Sequence, residues 1–208
     1  MVRAHSAAAE HEELRERLLA AALQVAAERG LAELSVRRIA EAAETSTMSV
    51  YSRFGGRAGV LDALYRRTFR MLGDALAAVD RSDSYVVDLA LAYRAFALEN
   101  PPRYAFMFGR PLDDFVPDED LRTETLQGCF APLIAAVRAA SGGATPEATR
   151  AAYCLWGAMH GLVSLELAEV LQTPLPDWGM PAPIAGAGER MYLAGVRAVL
   201  TGLGLLEA

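Results

Sequence analysis

Residues 35–57, SVRRIAEAAETSTMSVYSRFGGR, constrain the fold more than any other stretch of the chain. Ser35 is a natural N-cap, because its hydroxyl can accept a free amide hydrogen of the first helical turn. Val36, Ile39, Ala40 and Ala43 then recur at helical spacing and make one small apolar face. Glu44-Thr45-Ser46 interrupts that pattern. Ser46 can cap a second helix, Thr47 to Phe54, in which Val50 and Phe54 lie four apart and point inward. Its other face shows Thr47, Ser49, Ser52 and Arg53, with Tyr51 beside them. Gly55-Gly56 stops this helix and Arg57 opens the next. Two short helices on a small alanine interface suit a helix-turn-helix, whose second helix enters the DNA major groove. An ordinary αα-hairpin in a helical bundle has the same periodicity. In the first case the hydroxyls and Tyr51 can bond to phosphate oxygens, and Arg53 can reach a phosphate or a guanine edge.

The order and spacing of these residues resemble the DNA-binding domain of the TetR family of bacterial regulators. That family has an alanine-rich first helix ending in glycine, followed by roughly TSVRDIAEAAGVSKGTLYYHFKSKEAL. Here LLAAALQVAAERG occupies residues 18–30, and LSVRRIAEAAETSTMSVYSRFGGRAGVL occupies residues 34–61. The resemblance covers about residues 13–65. It implies DNA contacts, mostly to phosphates, from Ser35, Thr47, Ser49, Tyr51, Arg53 and Arg57; Arg37, Thr45 and Ser46 complete the candidate set. Two positions depart from the pattern. Glu44 stands where the turn usually has glycine, and Gly55 stands where lysine is common, so operator affinity is expected to be modest. A turn rebuilt with negative φ, with Glu44 paired to Arg37 or Arg38, is the alternative at the first position.

Charge distribution agrees with a nucleic-acid role for one part of the chain. The 208 residues carry a net charge of −6, which argues against non-specific DNA binding by the whole molecule. Residues 35–70, however, hold seven arginines against three acids, a net of +4, whereas residues 71–208 hold nine arginines against seventeen acids, a net of −8. A basic face on one small domain of an acidic protein is an electrostatic footprint for DNA.

The rest of the chain reads as helices. Alanine and leucine dominate and no β-branched alternating run occurs, so an all-α fold of about nine helices is expected. Residues 1–11 are small and polar and read as disordered. A first helix is expected from about Glu12 to Arg29, with Gly30 ending it. The domains expected are a helix-turn-helix domain over residues 12–56 and a ligand-binding and dimerisation domain over residues 57–208. A helix from about Arg57 to Val79 would link them as a lever. Further helices are expected over Asp83 to Glu99, Arg103 to Phe108, Leu121 to Ala140, Pro146 to Leu171 and Gly188 to Leu203. No apolar run reaches the roughly 18 residues that span a bilayer, and no signal-peptide pattern opens the sequence. Cys129 and Cys154 read as reduced core residues. A cytoplasmic bacterial protein is the expectation.

Trp156-Gly157-Ala158-Met159-His160-Gly161-Leu162-Val163-Ser164-Leu165-Glu166 is similar to a Trp/His/Gly motif in one subgroup of TetR C-terminal domains. The resemblance implies a half that binds a small molecule and dimerises through its last two long helices, near residues 146–171 and 188–203. Small residues at 157, 158, 161 and 164 would allow close helix approach, and a two-fold four-helix interface would bury the surplus apolar surface. Ligand candidates are Tyr93, Phe96, Tyr104, Phe106, Met107, Phe108, Phe130, Tyr153, Trp156 and His160, since aromatics with a few polar tips suit a largely apolar or aromatic effector. Each taken alone is more often plain core, and a lone histidine on an apolar helix is more often a hydrogen-bonded core residue.

The function expected is a homodimeric repressor released from a palindromic double-stranded operator by such an effector. A regulator with no small-molecule ligand is one alternative. A helical enzyme is another: Asp113, Asp114, Asp118, Glu119 and Asp120 cluster, and paired carboxylates can do acid–base or metal work. A solvated acidic loop is the plainer reading, because no histidine, Gly-rich phosphate loop or Ser/His/Asp set accompanies them. No enzyme activity, metal or cofactor is therefore expected.

Overall fold

The computed structural model describes residues 2–109, 112, 114–143, 146–170 and 186–206. Among them the chain forms nine α-helices and one short 3-10 turn, with no strand, as the composition led one to expect. They divide into two compact units, residues 1–70 with 102–126 and residues 71–101 with 127–208. This geometric division is a different partition from the functional one expected at residue 57.

The first unit opens with α1, Val2–Arg29. Its start lies well before Glu12, and the segment expected to be disordered is helical. Residues 2–11 contain four alanines and neither Gly nor Pro, so nothing local breaks a helix that the buried Leu18, Leu19, Ala22 and Val25 anchor further on. Gly30 ends α1 at φ +86°. The 3-10 turn Leu31–Glu33 leads to α2, Val36–Ala42, then α3, Thr47–Phe54, then α4, Arg57–Ala77. Leu34, Ile39, Val50, Val60, Leu61 and Leu64 close a small core against α1. Three helices within about 50 residues bury little surface for independent stability. The unit adds α6, Pro101–Phe108, and the first part of α7, Glu119–Ala140. Phe106 of α6 meets the Tyr65 ring edge-on at 5.8 Å, and Phe108 meets Phe69 at 5.5 Å.

The second unit holds the end of α4, α5 (Tyr85–Glu99), the rest of α7, α8 (Pro146–Leu167) and α9 (Ala187–Gly202). Its buried residues include Leu76, Leu89, Tyr93, Leu133, Val137, Leu155, Met159, Val163, Tyr192 and Val196. Tyr192 satisfies its hydroxyl by donating to the Ala90 carbonyl at 2.7 Å. Arg94 of α5 grips Glu166 of α8 with two bonds of 2.8 and 2.6 Å and also reaches Glu189 of α9 at 3.2 Å. The hydrogen bond to Glu166 is the main reason the Arg94 pKa is raised, more than offsetting burial. Packing of α8 on α9 is tight: a Cβ at Gly195 would come within 2.7 Å of Leu162. Of the two cysteines expected in the core, one is there and one is not. Cys129 is buried and its thiol is pushed up to about 12 by that burial, whereas Cys154 is exposed on α8. An alanine-rich helix offers more buried-looking positions than its core face uses. α8 ends at Leu167, before the Leu171 expected, and Glu169 just beyond it stands at φ +60°. Residues 171–185, which hold most of the Pro/Gly/Ala loop expected over residues 173–188, lie outside the described residues, and α9 already begins at Ala187.

Candidate nucleic-acid interface and aromatic cluster

The corner between α2 and α3 follows from three local rules. Ser35 caps α2 by accepting from the Arg38 amide at 3.3 Å, and Ser46 caps α3 by accepting from the Ser49 amide at 3.3 Å. α2 ends in a pair of nested bonds, Thr45 N–H to the Ala40 carbonyl at 2.9 Å and Glu44 N–H to the Glu41 carbonyl at 3.1 Å. That closure requires a left-handed residue just past the cap. Glu44 is that residue, at φ +52°. The alternative of a negative-φ turn is overturned, and Arg38 bonds to Glu33 instead of Glu44. Gly55 ends α3 at φ +71°, a conformation that glycine takes freely, so this departure suits the backbone.

Glu44→Gly is therefore expected to stabilise the protein. An L-residue in the left-handed region costs roughly 1–2 kcal/mol, and glycine gives back part of this through a more flexible unfolded chain. A net gain of about 1 kcal/mol raises Tm by roughly 2–4 °C in a chain of this size. A thermal melt of the two proteins checks it, and a lower Tm for the glycine variant refutes the strain argument.

α3 presents its short polar face to solvent, with Thr47, Tyr51 and Ser52 exposed. Several hydroxyls are already engaged. Thr45 and Ser49 lie 2.9 Å apart, Ser46 and Ser49 3.1 Å, and Ser52 donates to the Ser49 carbonyl at 3.1 Å. Arg53 is half-buried, donates to Ser52 at 3.0 Å, and keeps Nε without a partner among the described residues. Arg37 is exposed. Arg57 donates from Nε to the Leu34 carbonyl at 2.6 Å and from NH1 to Asp114 at 2.5 Å. Its guanidinium is thus fixed within the first unit, with its remaining donors pointing elsewhere. Arg66 and Arg67 pair with Glu124 and Glu16. Part of the +4 charge counted along residues 35–70 is accordingly offset by acids brought in from α1, α7 and the segment before α7. Spacing along one stretch carries no sign of those partners.

The acidic cluster is used locally. Asp118 caps α7 by accepting from the Leu121 amide at 2.7 Å, Asp114 holds Arg57, and Glu119 and Asp120 sit in the first turn, where the helix dipole favours negative charge. Asp113 lies outside the described residues.

The ligand candidates fall into two sets. Tyr93, Phe96, Phe130, Tyr153, Trp156 and His160 belong to the second unit. There Tyr93 Oη lies 3.4 Å from Trp156 Nε1, which donates to it, and 3.4 Å from His160 Nδ1. Phe130 packs on Trp156 with ring centroids 4.3 Å apart. Burial lowers the His160 pKa, which favours the neutral imidazole. Phe96 is buried, whereas Tyr153 is 58% exposed. Tyr104, Phe106, Met107 and Phe108 belong to the first unit and join Tyr65, Phe69 and Phe115, three aromatics not singled out from the sequence. Met107 and Phe106 line an open cleft of about 170 Å³ with Tyr65, Phe115, Pro117 and Arg122. That volume is small beside the ~300–1,000 Å³ usual for drug-sized ligands. In the motif on α8, Gly157 and Gly161 are exposed, and a Cβ at either would meet nothing within 4 Å.

Comparison with known proteins closes the description. Residues 18–64 match the family model of bacterial regulatory proteins, tetR family, and residues 86–179 match the tetracyclin repressor-like C-terminal domain. An uncharacterized HTH-type transcriptional regulator of Mycobacterium tuberculosis is 29% identical over 164 residues, which cover 76% of this chain and 72% of that protein. The crystal structure of regulatory protein SCO4313 is similar at a TM-score of 0.74 and 25% identity, covering 92% of this chain and 97% of that one. A TetR variant from Acinetobacter baumannii AYE, solved in complex with minocycline, shares the fold at a TM-score of 0.58 and 18% identity, covering 92% and 96%. No described helix is long and apolar enough to cross a membrane.

Proposed function

Because the chain belongs to the TetR family of bacterial transcriptional regulators, we propose that it is a homodimeric repressor that leaves a near-palindromic operator when a small, largely apolar ligand binds. The observation that carries this reading is α3 itself. It is an eight-residue helix, capped at Ser46, with one buried anchor in Val50 and an exposed face of Thr47, Tyr51 and Ser52. Such a helix contributes little to a core and offers hydroxyl and aromatic groups at the height where phosphates and base edges lie. Ser35, Arg37, Thr45, Ser46, Ser49, Arg53 and Arg57 surround that face. Residues 12–56 act as the DNA-binding domain, and residues 57–208 bind the ligand and dimerise. Dimerisation uses the outer faces of α8 and α9, where Tyr153, Leu165 and Met191 are exposed beside Gly157 and Gly161. The ligand meets the aromatics of Tyr93, Phe130, Trp156 and His160. Minocycline bound to a TetR variant of the same fold supports a ligand for this one. A coupling of ~1–3 kcal/mol between ligand and operator gives roughly 5- to 150-fold weaker DNA binding.

Fluorescence anisotropy with duplexes from the DNA flanking the gene tests the reading. If six or more phosphates are neutralised by the dimer, affinity falls about 10³-fold or more between 50 and 200 mM salt. Binding that is indifferent to salt, or absent from every flanking duplex, contradicts it.

A further inference from the structure

The residues of α3 can be sorted by what already occupies them. Val50 is fully buried, and Phe54 is half-buried with the Arg15 guanidinium 5.4 Å over its ring. The hydroxyls of Thr45, Ser46, Ser49 and Ser52 are spent on one another, on a helix amide and on a carbonyl. Tyr51 is 54% exposed, but its ring lies along Gly56, where a Cβ would come within 3.4 Å of it. Met48, by contrast, is turned to solvent. At 71% exposure it is the most exposed large apolar side chain among the described residues, and it stands one helical turn from Tyr51.

A single exposed apolar residue is ordinary on a protein surface. This one is the second residue of the helix assigned to the major groove, and the N-terminal residues of that helix are the ones that reach base edges. Resting on the DNA-binding reading above, we propose that Met48 selects thymine at one position of each operator half-site by packing its thioether chain on the 5-methyl group. Thymine is the only base that presents a methyl group in the major groove. Methionine is unbranched and polarizable, so it can follow the groove floor and meet that methyl without a fixed hydrogen-bond geometry. The hydroxyls around it cannot supply this discrimination, because a hydroxyl accepts or donates to several base edges alike.

The test uses the full-length protein and a duplex that it selects from a random-sequence pool. Each thymine of one half-site is replaced in turn by deoxyuridine, which keeps every pairing group and removes only the methyl. At one position the substitution should weaken wild-type binding about fourfold, the worth of one buried methyl. The same substitution should leave Met48→Ala unaffected, while Met48→Leu keeps most of the preference. The salt slope should be unchanged in both variants, since no charge is altered. If no deoxyuridine position separates wild type from Met48→Ala, Met48 does not read thymine although the DNA-binding reading stands. If the folded protein selects no duplex at all, the DNA-binding reading falls and this inference falls with it.

Discussion

Gly161→Glu is expected to give a folded monomer that has lost its operator. A Cβ at Gly161 meets nothing within 4 Å, and residue 161 is exposed on α8. Replacing glycine inside a helix by a better helix former stabilises it by roughly 0.5–1 kcal/mol, so the isolated subunit should melt no lower than the parent. In a two-fold dimer joined through the outer faces of α8 and α9 the outcome reverses. The new side chain stands where the partner helix must approach, and two glutamates are placed near each other with no cation assigned to either. Loss of the second half-site contact removes the gain of bivalent binding, about 10²- to 10⁴-fold in operator affinity. Sedimentation at micromolar concentration together with a thermal melt decides. A variant that remains a dimer places the interface elsewhere, and one that simply unfolds shows that residue 161 is needed within the subunit.

Breaking the Arg94–Glu166 pair should produce a large loss of stability from one substitution. Glu166 retains 9% and Arg94 15% side-chain exposure, and the two bonds between them link α5 to α8. Glu166→Ala leaves a guanidinium largely out of water, over the Tyr192 ring and with the exposed Glu189 as its remaining carboxylate among the described residues. Removing one partner of a buried pair costs about 3–5 kcal/mol, and the residual exposure here argues for the lower end. At about 3 kcal/mol the drop in Tm is roughly 6–12 °C. The origin of the loss is checked by Arg94→Met with Glu166→Leu, which removes both charges and should recover most of it. A loss below about 1 kcal/mol for Glu166→Ala, or no recovery in the double variant, shows that the pair is screened by water and does not stabilise the unit.

The helix-turn-helix was legible almost to the residue because its signals are local. Ser35, Ser46 and Gly55 act on amides or dihedrals within a few positions of themselves, so their effect survives without knowledge of the fold. The left-handed turn residue was legible for the same reason, although Glu44 is an unfavoured occupant. The start of α1 was missed because an alanine-rich segment carries no apolar periodicity to distinguish helix from coil. The aromatic residues 104–108 were read together with Tyr93 and Trp156 because all are aromatic. Spacing cannot say that α6 joins the unit containing Tyr65 and Phe69. Arg57, Arg66 and Arg67 illustrate the same limit for charge. Their partners Asp114, Glu124 and Glu16 lie 57, 58 and 51 residues away, beyond any window used to count a local net charge. Met48 escaped notice because an apolar residue beside Val50 looks like part of a core until exposure separates the two.

Hydroxyl-radical footprinting of the full-length protein on DNA flanking its own gene tests the central claim most directly. A dimer with two recognition helices on one face of the duplex should protect two patches about one helical turn apart, ~34–36 Å, in a near-palindrome. Protection should fade as salt is raised, and Gly161→Glu should lose both patches together. A folded dimer that protects no site at low salt would contradict the account.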